Sequence, residues 1–173
     1  MRLKAGELCS AADFAALPED WRGEYLWVDS AVLDSNPDCE KLRKFTAEKV
    51  RVIIHDLASP AMTRLIPAED RKLQLEFQSF LLKRCEKLLS LGIREFSLSC
   101  DWERAAANPE FCVQLKKLLR SCFGILEYNH LTLWLNICLP ADERWLVQFQ
   151  QDLLYPHVKL VFWEPESSEK PEF

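Results

Sequence analysis

Two hydrophobic periods take turns along this chain. Short runs that alternate apolar and polar residues are separated by longer runs with apolar residues at three- and four-residue steps, the sequence form of repeated βα units. The alternating runs predict six strands, at Met1–Gly6, Tyr25–Val32, Val50–Leu57, Arg94–Trp102, Leu131–Leu139 and Val158–Glu164, the first being the least regular. Leu73, Phe77, Phe80, Leu81, Cys85, Leu88 and Leu89 predict a long helix over Pro67–Leu91 that Gly92 ends. A second apolar stripe runs through Phe111, Leu115, Leu118, Cys122 and Leu126, and a third through Trp145, Leu146, Phe149 and Leu153 before Pro156 stops it. Ser10-Ala11-Ala12-Asp13 reads as a capping box with Asp in the place of Glu. Asn36-Pro37-Asp38 and Asn108-Pro109-Glu110 share one helix opening: an Asn cap, a Pro at the first helical position and an acid at the positive helix end.

The phase of the strands says more than their number. In Arg94–Trp102 the apolar set Phe96, Leu98 and Cys100 alternates with Ser97, Ser99 and Asp101; in Leu131–Leu139 the set Leu131, Leu133, Leu135 and Ile137 alternates with Thr132, Trp134, Asn136 and Cys138. Helices on both faces would require strands that are apolar throughout, so this pattern places helices on one face and leaves the other free to curl. That second face carries Arg2, Lys4, Tyr25, Trp27, Asp29, Arg51, His55, Lys159 and Trp163. Polar and aromatic groups sharing one concavity suit a polar ligand. The predicted fold is α/β: repeated βα units, about six mostly parallel strands with helices on one face, a partial or TIM-like barrel. It forms a single domain over 1–164 with a polar acidic tail at 165–173.

Composition narrows the chemistry. The 173 residues are 49% hydrophobic and 28% charged, a balance suited to one globular domain, and 22 Lys and Arg against 27 Asp and Glu argue against a nucleic-acid binder. No run approaches the roughly 20 apolar residues that cross a bilayer, and the N-terminal residues lack an apolar signal core, so the expected location is cytoplasmic. The seven cysteines are odd in number and irregularly spaced, without CxxC, and read as buried free thiols. His130 and His157 each precede a strand, at the end opposite a barrel site, and read as structural. Four glycines leave no GxGxxG turn or P-loop, no G-x-S-x-G elbow occurs, and no motif implies a cofactor.

A particular order of elements carries a resemblance. Arg51-Val-Ile-Ile-His-Asp-Leu-Ala-Ser-Pro60, then a long connection, the helix end Cys85-Glu-Lys-Leu-Leu-Ser-Leu-Gly-Ile93 and the strand Glu95-Phe-Ser-Leu-Ser-Cys-Asp101 resemble the xylose-isomerase-like TIM barrels, a superfamily of sugar phosphate isomerases and epimerases that includes endonuclease IV. The match covers roughly residues 45–140. It implies that His55 is the substrate-side histidine at the end of the third strand. Elsewhere the chain departs from the family. Cys100-Asp101-Trp102 stands where a second histidine is usual, Asn136-Ile137-Cys138 where a metal-binding glutamate is usual, and Glu164 is the acid after the sixth strand. Eight βα units take about 250 residues, and this length has room for about six.

Barrel chemistry sits at the carboxyl ends of the strands, which gives Asp29, His55, Asp101, Asn136 and Glu164 as ligand-binding candidates, with no catalytic residue assigned. Asp29 and Asp101 serve equally well as helix caps, and Asn136 offers a neutral donor and acceptor. Asp101 and Glu164 with one histidine make a poor site for manganese or magnesium, so no metal is expected. The expected function is that of a sugar isomerase- or epimerase-like relative whose metal site is reduced or lost, binding a small carbohydrate or polyol. The alternative is a non-catalytic interaction module, an incomplete barrel that completes itself by oligomerisation or partner binding, because open edge strands need cover.

Overall fold

The computed structural model describes residues 2–4, 7–56, 71–99, 102–138, 142–153 and 155–164. Its strands are β1 (Arg2–Lys4), β2 (Leu8–Cys9), β3 (Tyr25–Asp29), β4 (Arg51–Asp56), β5 (Glu95–Ser99), β6 (Thr132–Cys138) and β7 (Val158–Glu164). All pair in parallel, in the order β1-β7-β6-β5-β4-β3-β2. The helices are α1 (Ala11–Ala16), α2 (Asn36–Ala47), α3 (Arg71–Ser90), α4 (Trp102–Ala107), α5 (Pro109–Ser121), α6 (Phe123–Asn129) and α7 (Glu143–Asp152), with a 3-10 turn at Ser30–Asp34. The first four residues of the expected helix over Pro67–Leu91, residues 67–70, lie outside the described residues.

One face of every central strand packs under the helices. Leu26, Val28, Val52, Ile54, Phe96, Leu98, Leu133, Leu135 and Ile137 join Phe45, Phe77, Leu81, Leu115 and Phe149 in the main core. The opposite face holds a separate small cluster of Trp27, Ile53, Trp134 and Val161, with Leu8 and Tyr25 against it. This is the α/β arrangement expected from the strand phase, with helices on one face and a sheet curled around the other, as in a partial TIM-like barrel. Cys39, Cys85, Cys112 and Cys122 are buried free thiols.

The N-terminal run shows how far the sheet curls. Instead of one strand at Met1–Gly6, the segment pairs twice: Arg2–Lys4 along Phe162–Glu164 of β7, and Leu8–Cys9 along Trp27–Val28 of β3. Lys4 and Leu8 are four positions apart, a reach of at most about 14 Å, so both ends of the sheet meet one short segment. β1 and β2 are joined along the chain and not by a ladder, which leaves six strand positions around an unclosed curl. β7 is not an open edge: it lies between β6 and β1 of its own chain.

Local chemistry explains the remaining differences from expectation. The strand at Tyr25–Val32 stops at Asp29 because the Asp29 carboxylate accepts the Ala31 N–H (2.8 Å) and starts the 3-10 turn. Helix α2 is capped by Ser35, whose hydroxyl accepts from Asp38 N–H (3.4 Å), so Asn36 lies one position inside the cap. Asn108 caps α5 as expected, and the Ser10–Asp13 box forms. The stripe from Phe111 to Leu126 breaks at Cys122 into two helices. Gly92 has φ +74°, and an added Cβ would lie 3.1 Å from Thr46 Oγ1, the hydroxyl that donates to Leu91 O (2.7 Å).

Candidate ligand-binding site

The inner face divides into two layers along the strands. Near the strand starts, Arg51 of β4 holds Glu95 of β5 with two bonds, Nε to Oε2 (2.5 Å) and Nη2 to Oε1 (2.7 Å). Trp134 Nε1 donates to the same Oε1 at 3.0 Å. Arg51 and Lys159 lie over the Trp134 ring at 5.8 and 5.5 Å. Burial by itself pushes the Glu95 carboxyl up. The hydrogen bonds from Arg51 and Trp134, with the Arg51 and Lys159 charges, outweigh it and hold the group below the usual carboxylate value. Tyr25 extends the layer by donating to Glu7 (2.9 Å).

Toward the strand ends the layer is neutral. His55, Ser97 and Asn136 are 4%, 0% and 5% exposed, and their hydrogen bonds to one another join uncharged groups. They meet because the register sets His55 beside Ser97 and Ser99 beside Asn136 on three adjacent strands, all in the inward phase. Ser97 Oγ lies 2.6 Å and Asn136 Nδ2 2.9 Å from His55 Nδ1; Asn136 Nδ2 also donates to Ser99 Oγ at 3.3 Å. An amide nitrogen can only donate, so with the Asn136 side chain in this orientation Nδ1 accepts and the ring proton sits on Nε2. Burial drives the His55 pKa from 6.5 down to about 4 against the opposing pull of the Asp29 charge, which keeps the imidazole neutral at pH 7. The Trp27 ring flanks it at 6.4 Å.

Of the five expected residues, the structure brings two together, His55 and Asn136. Asp29 sits beside His55 in the register, but its carboxylate is used to open the 3-10 turn. Asp101 lies outside the described residues, and Glu164 is described only as the backbone of β7, beside Lys4. Sequence reasoning missed the part played by Ser97 and Ser99, and missed Glu95 altogether; its signal was the two-residue spacing Glu95, Ser97, Ser99 on the inward face. His157 is structural as expected, its Nδ1 2.9 Å from Leu131 O, and His130, at φ 53°, closes α6. The donor set of the described residues does not suit a metal ion. His55 Nδ1 already receives two protein donors, Asn136 presents an amide where a carboxylate would be needed, and among the described residues no three His, Cys, Asp or Glu side chains form a group able to hold one.

No protein-family model and no curated protein matches the sequence. Solved structures do match. One, a D-psicose 3-epimerase crystallised in the presence of D-fructose, superposes at a TM-score of 0.63 with 8% identity over 93% of this chain. Another, a xylose isomerase domain protein from Planctomyces limnophilus, superposes at 0.59 with 13% identity over 90%. The fold is that of the xylose-isomerase-like TIM barrels. This chain spans 62% and 61% of those two chains, in line with a barrel that has six strand positions instead of eight. In a xylose-isomerase-like barrel the chemistry belongs at the carboxyl ends of the strands, the end at which His55, Ser99 and Asn136 lie here. None of the described helices is long and apolar enough to cross a membrane.

Proposed function

We propose that this xylose-isomerase-like barrel binds a small, uncharged polyhydroxylated ligand, a sugar or polyol, at the strand-end layer of its lumen, with the metal site of an isomerase reduced. His55 and Asn136 border the proposed site, and Asp29, Asp101 and Glu164 are candidates for it from the sequence. One observation carries the reading: the Asn136 carbonyl oxygen is buried among polar side chains and has no hydrogen-bond partner among the described residues. An unmet buried acceptor costs about 1–3 kcal/mol, so a fold retains one where a ligand or water supplies the donor. A neutral layer of amide, hydroxyl and imidazole groups suits hydroxyls better than phosphates, which call for cations or clustered backbone N–H groups. The D-psicose 3-epimerase and the xylose isomerase domain protein, as their names say, are sugar enzymes, which supports the ligand class.

Isothermal titration with D-fructose, with and without added Mn²⁺, tests the reading. Saturable uptake of D-fructose that is indifferent to Mn²⁺ supports it. Firm stoichiometric Mn²⁺ binding that D-fructose uptake depends on would restore the metal-dependent isomerase and overturn the reduced site.

A further inference from the structure

The Asn136 amide is committed on one side only. Both Nδ2 hydrogens have acceptors, His55 Nδ1 at 2.9 Å and Ser99 Oγ at 3.3 Å, while Oδ1 in the same buried side chain has no partner among the described residues. With the ring proton on Nε2, turning the amide over would set Oδ1 against the lone pair of Nδ1 and lose the bond to His55, while the Ser99 hydroxyl can serve either orientation. Ser97 Oγ, 2.6 Å from the same ring nitrogen, supplies a second hydroxyl donor there and keeps that nitrogen an acceptor. His55 and Ser97 are themselves packed away from solvent, so the arrangement has little room to rotate.

We infer that Asn136 determines specificity in the lumen: its Oδ1 is a fixed acceptor that selects a ligand atom able to donate a hydrogen bond, a hydroxyl, and rejects a carbonyl, ether or anionic oxygen at that position. His55 acts on this atom as a positioning residue, since the protonation of its ring decides which way the amide faces. A site that depends on a donated hydrogen bond discriminates strongly against analogues that lack the donor, because the buried acceptor is then left unmet. The inference deepens the polyol reading and rests on it for the identity of the ligand, though not for the orientation of the amide.

Two measurements on the full chain test it. The first is the long-range ¹H–¹⁵N spectrum of the His55 ring, which reports the tautomer. The wild type should show protonated Nε2 and bare Nδ1 near neutral pH. Asn136→Asp should move the proton to Nδ1, because a carboxylate accepts and cannot donate. The second is D-fructose titration of the wild type and of Asn136→Leu, which keeps the volume and removes the acceptor; affinity should fall roughly tenfold or more. A wild-type ring protonated on Nδ1 would mean that the amide faces the other way and would overturn the inference. So would undiminished D-fructose binding by Asn136→Leu. If the wild type takes up no D-fructose while the tautomers behave as expected, the polyol reading falls and the fixed acceptor stands. Should Asn136→Leu not fold, the tautomer arm still decides the orientation.

Discussion

The two layers of the lumen are made from the same strands, two to four residues apart, and they satisfy their polar groups in opposite ways. In the lower layer every group of the Arg51–Glu95–Trp134 cluster meets another: the carboxylate is held by a bidentate guanidinium and an indole N–H, with two cations over the indole. In the upper layer His55, Ser97, Ser99 and Asn136 bond to one another as uncharged groups, and Asn136 Oδ1 has no partner among the described residues. The charged cluster satisfies itself across three strands. The neutral cluster keeps one buried acceptor without a partner among the described residues, and the proposed ligand would meet it there. The difference predicts that mutations below cost stability without touching binding, while mutations above change binding and make stability depend on pH.

The largest effect belongs to His55. Its folded pKa, about 4, lies below the unfolded value of 6.5, so the unfolded chain takes up the proton first as pH falls. The contribution of the neutral ring is fully present above about pH 6.5 and is lost on the way down to about 4, by up to about 3 kcal/mol. Urea midpoints at pH 7.5 and 4.5 should therefore converge between wild type and His55→Gln at the lower pH. Parallel pH profiles for the two proteins would show that the ring is not buried neutral.

Glu95→Ala should come next. It strips the partner from Arg51 and from the Trp134 N–H, and equilibrium unfolding should show a loss of about 2 kcal/mol, moderated by the partial exposure of Arg51. Ligand affinity should hardly change, because the cluster lies at the other end of the lumen.

Ser97→Ala removes one of two donors to Nδ1. It should lower stability by about 1 kcal/mol and raise the His55 pKa, because the lost bond favoured the neutral ring. The titration of the His55 ring protons reads that shift directly. The smallest effect is Lys159→Ala: an exposed amine over an indole contributes about 0.5 kcal/mol, and a larger loss in thermal unfolding would mean that the lower layer is less self-sufficient than its geometry implies.

The parts of this picture that were legible in the sequence are those with a period. Alternation in Glu95–Ser99 and Thr132–Cys138 set which residues face inward, and strand ends put His55 and Asn136 at one level, so their meeting follows from phase alone. The pieces without a period stayed hidden. Leu8–Cys9 is too short to alternate, and its pairing with β3 depends on how far the sheet curls, which no local pattern encodes. Asp29 points inward by phase, yet a side chain one residue before a turn bonds the nearest free N–H first. Glu95 lies inside the expected strand Arg94–Trp102 in the phase of Ser97, but its use shows only once the fold sets Arg51 and the Trp134 N–H against it. Ser97 and Ser99 read as spacers because a hydroxyl shows its use only once the acceptor across the strand is known. Asp101 and the Glu164 side chain lie outside the described residues.

The central claim, that the upper layer receives a hydroxylated ligand while the lower one is closed, is tested most directly by mapping amide and side-chain shifts during a D-fructose titration. The account predicts saturable shifts at His55, Ser97, Ser99 and Asn136, with Arg51, Glu95 and Lys159 unmoved. Shifts confined to the Arg51–Glu95 end, or to the outer helices, would contradict it.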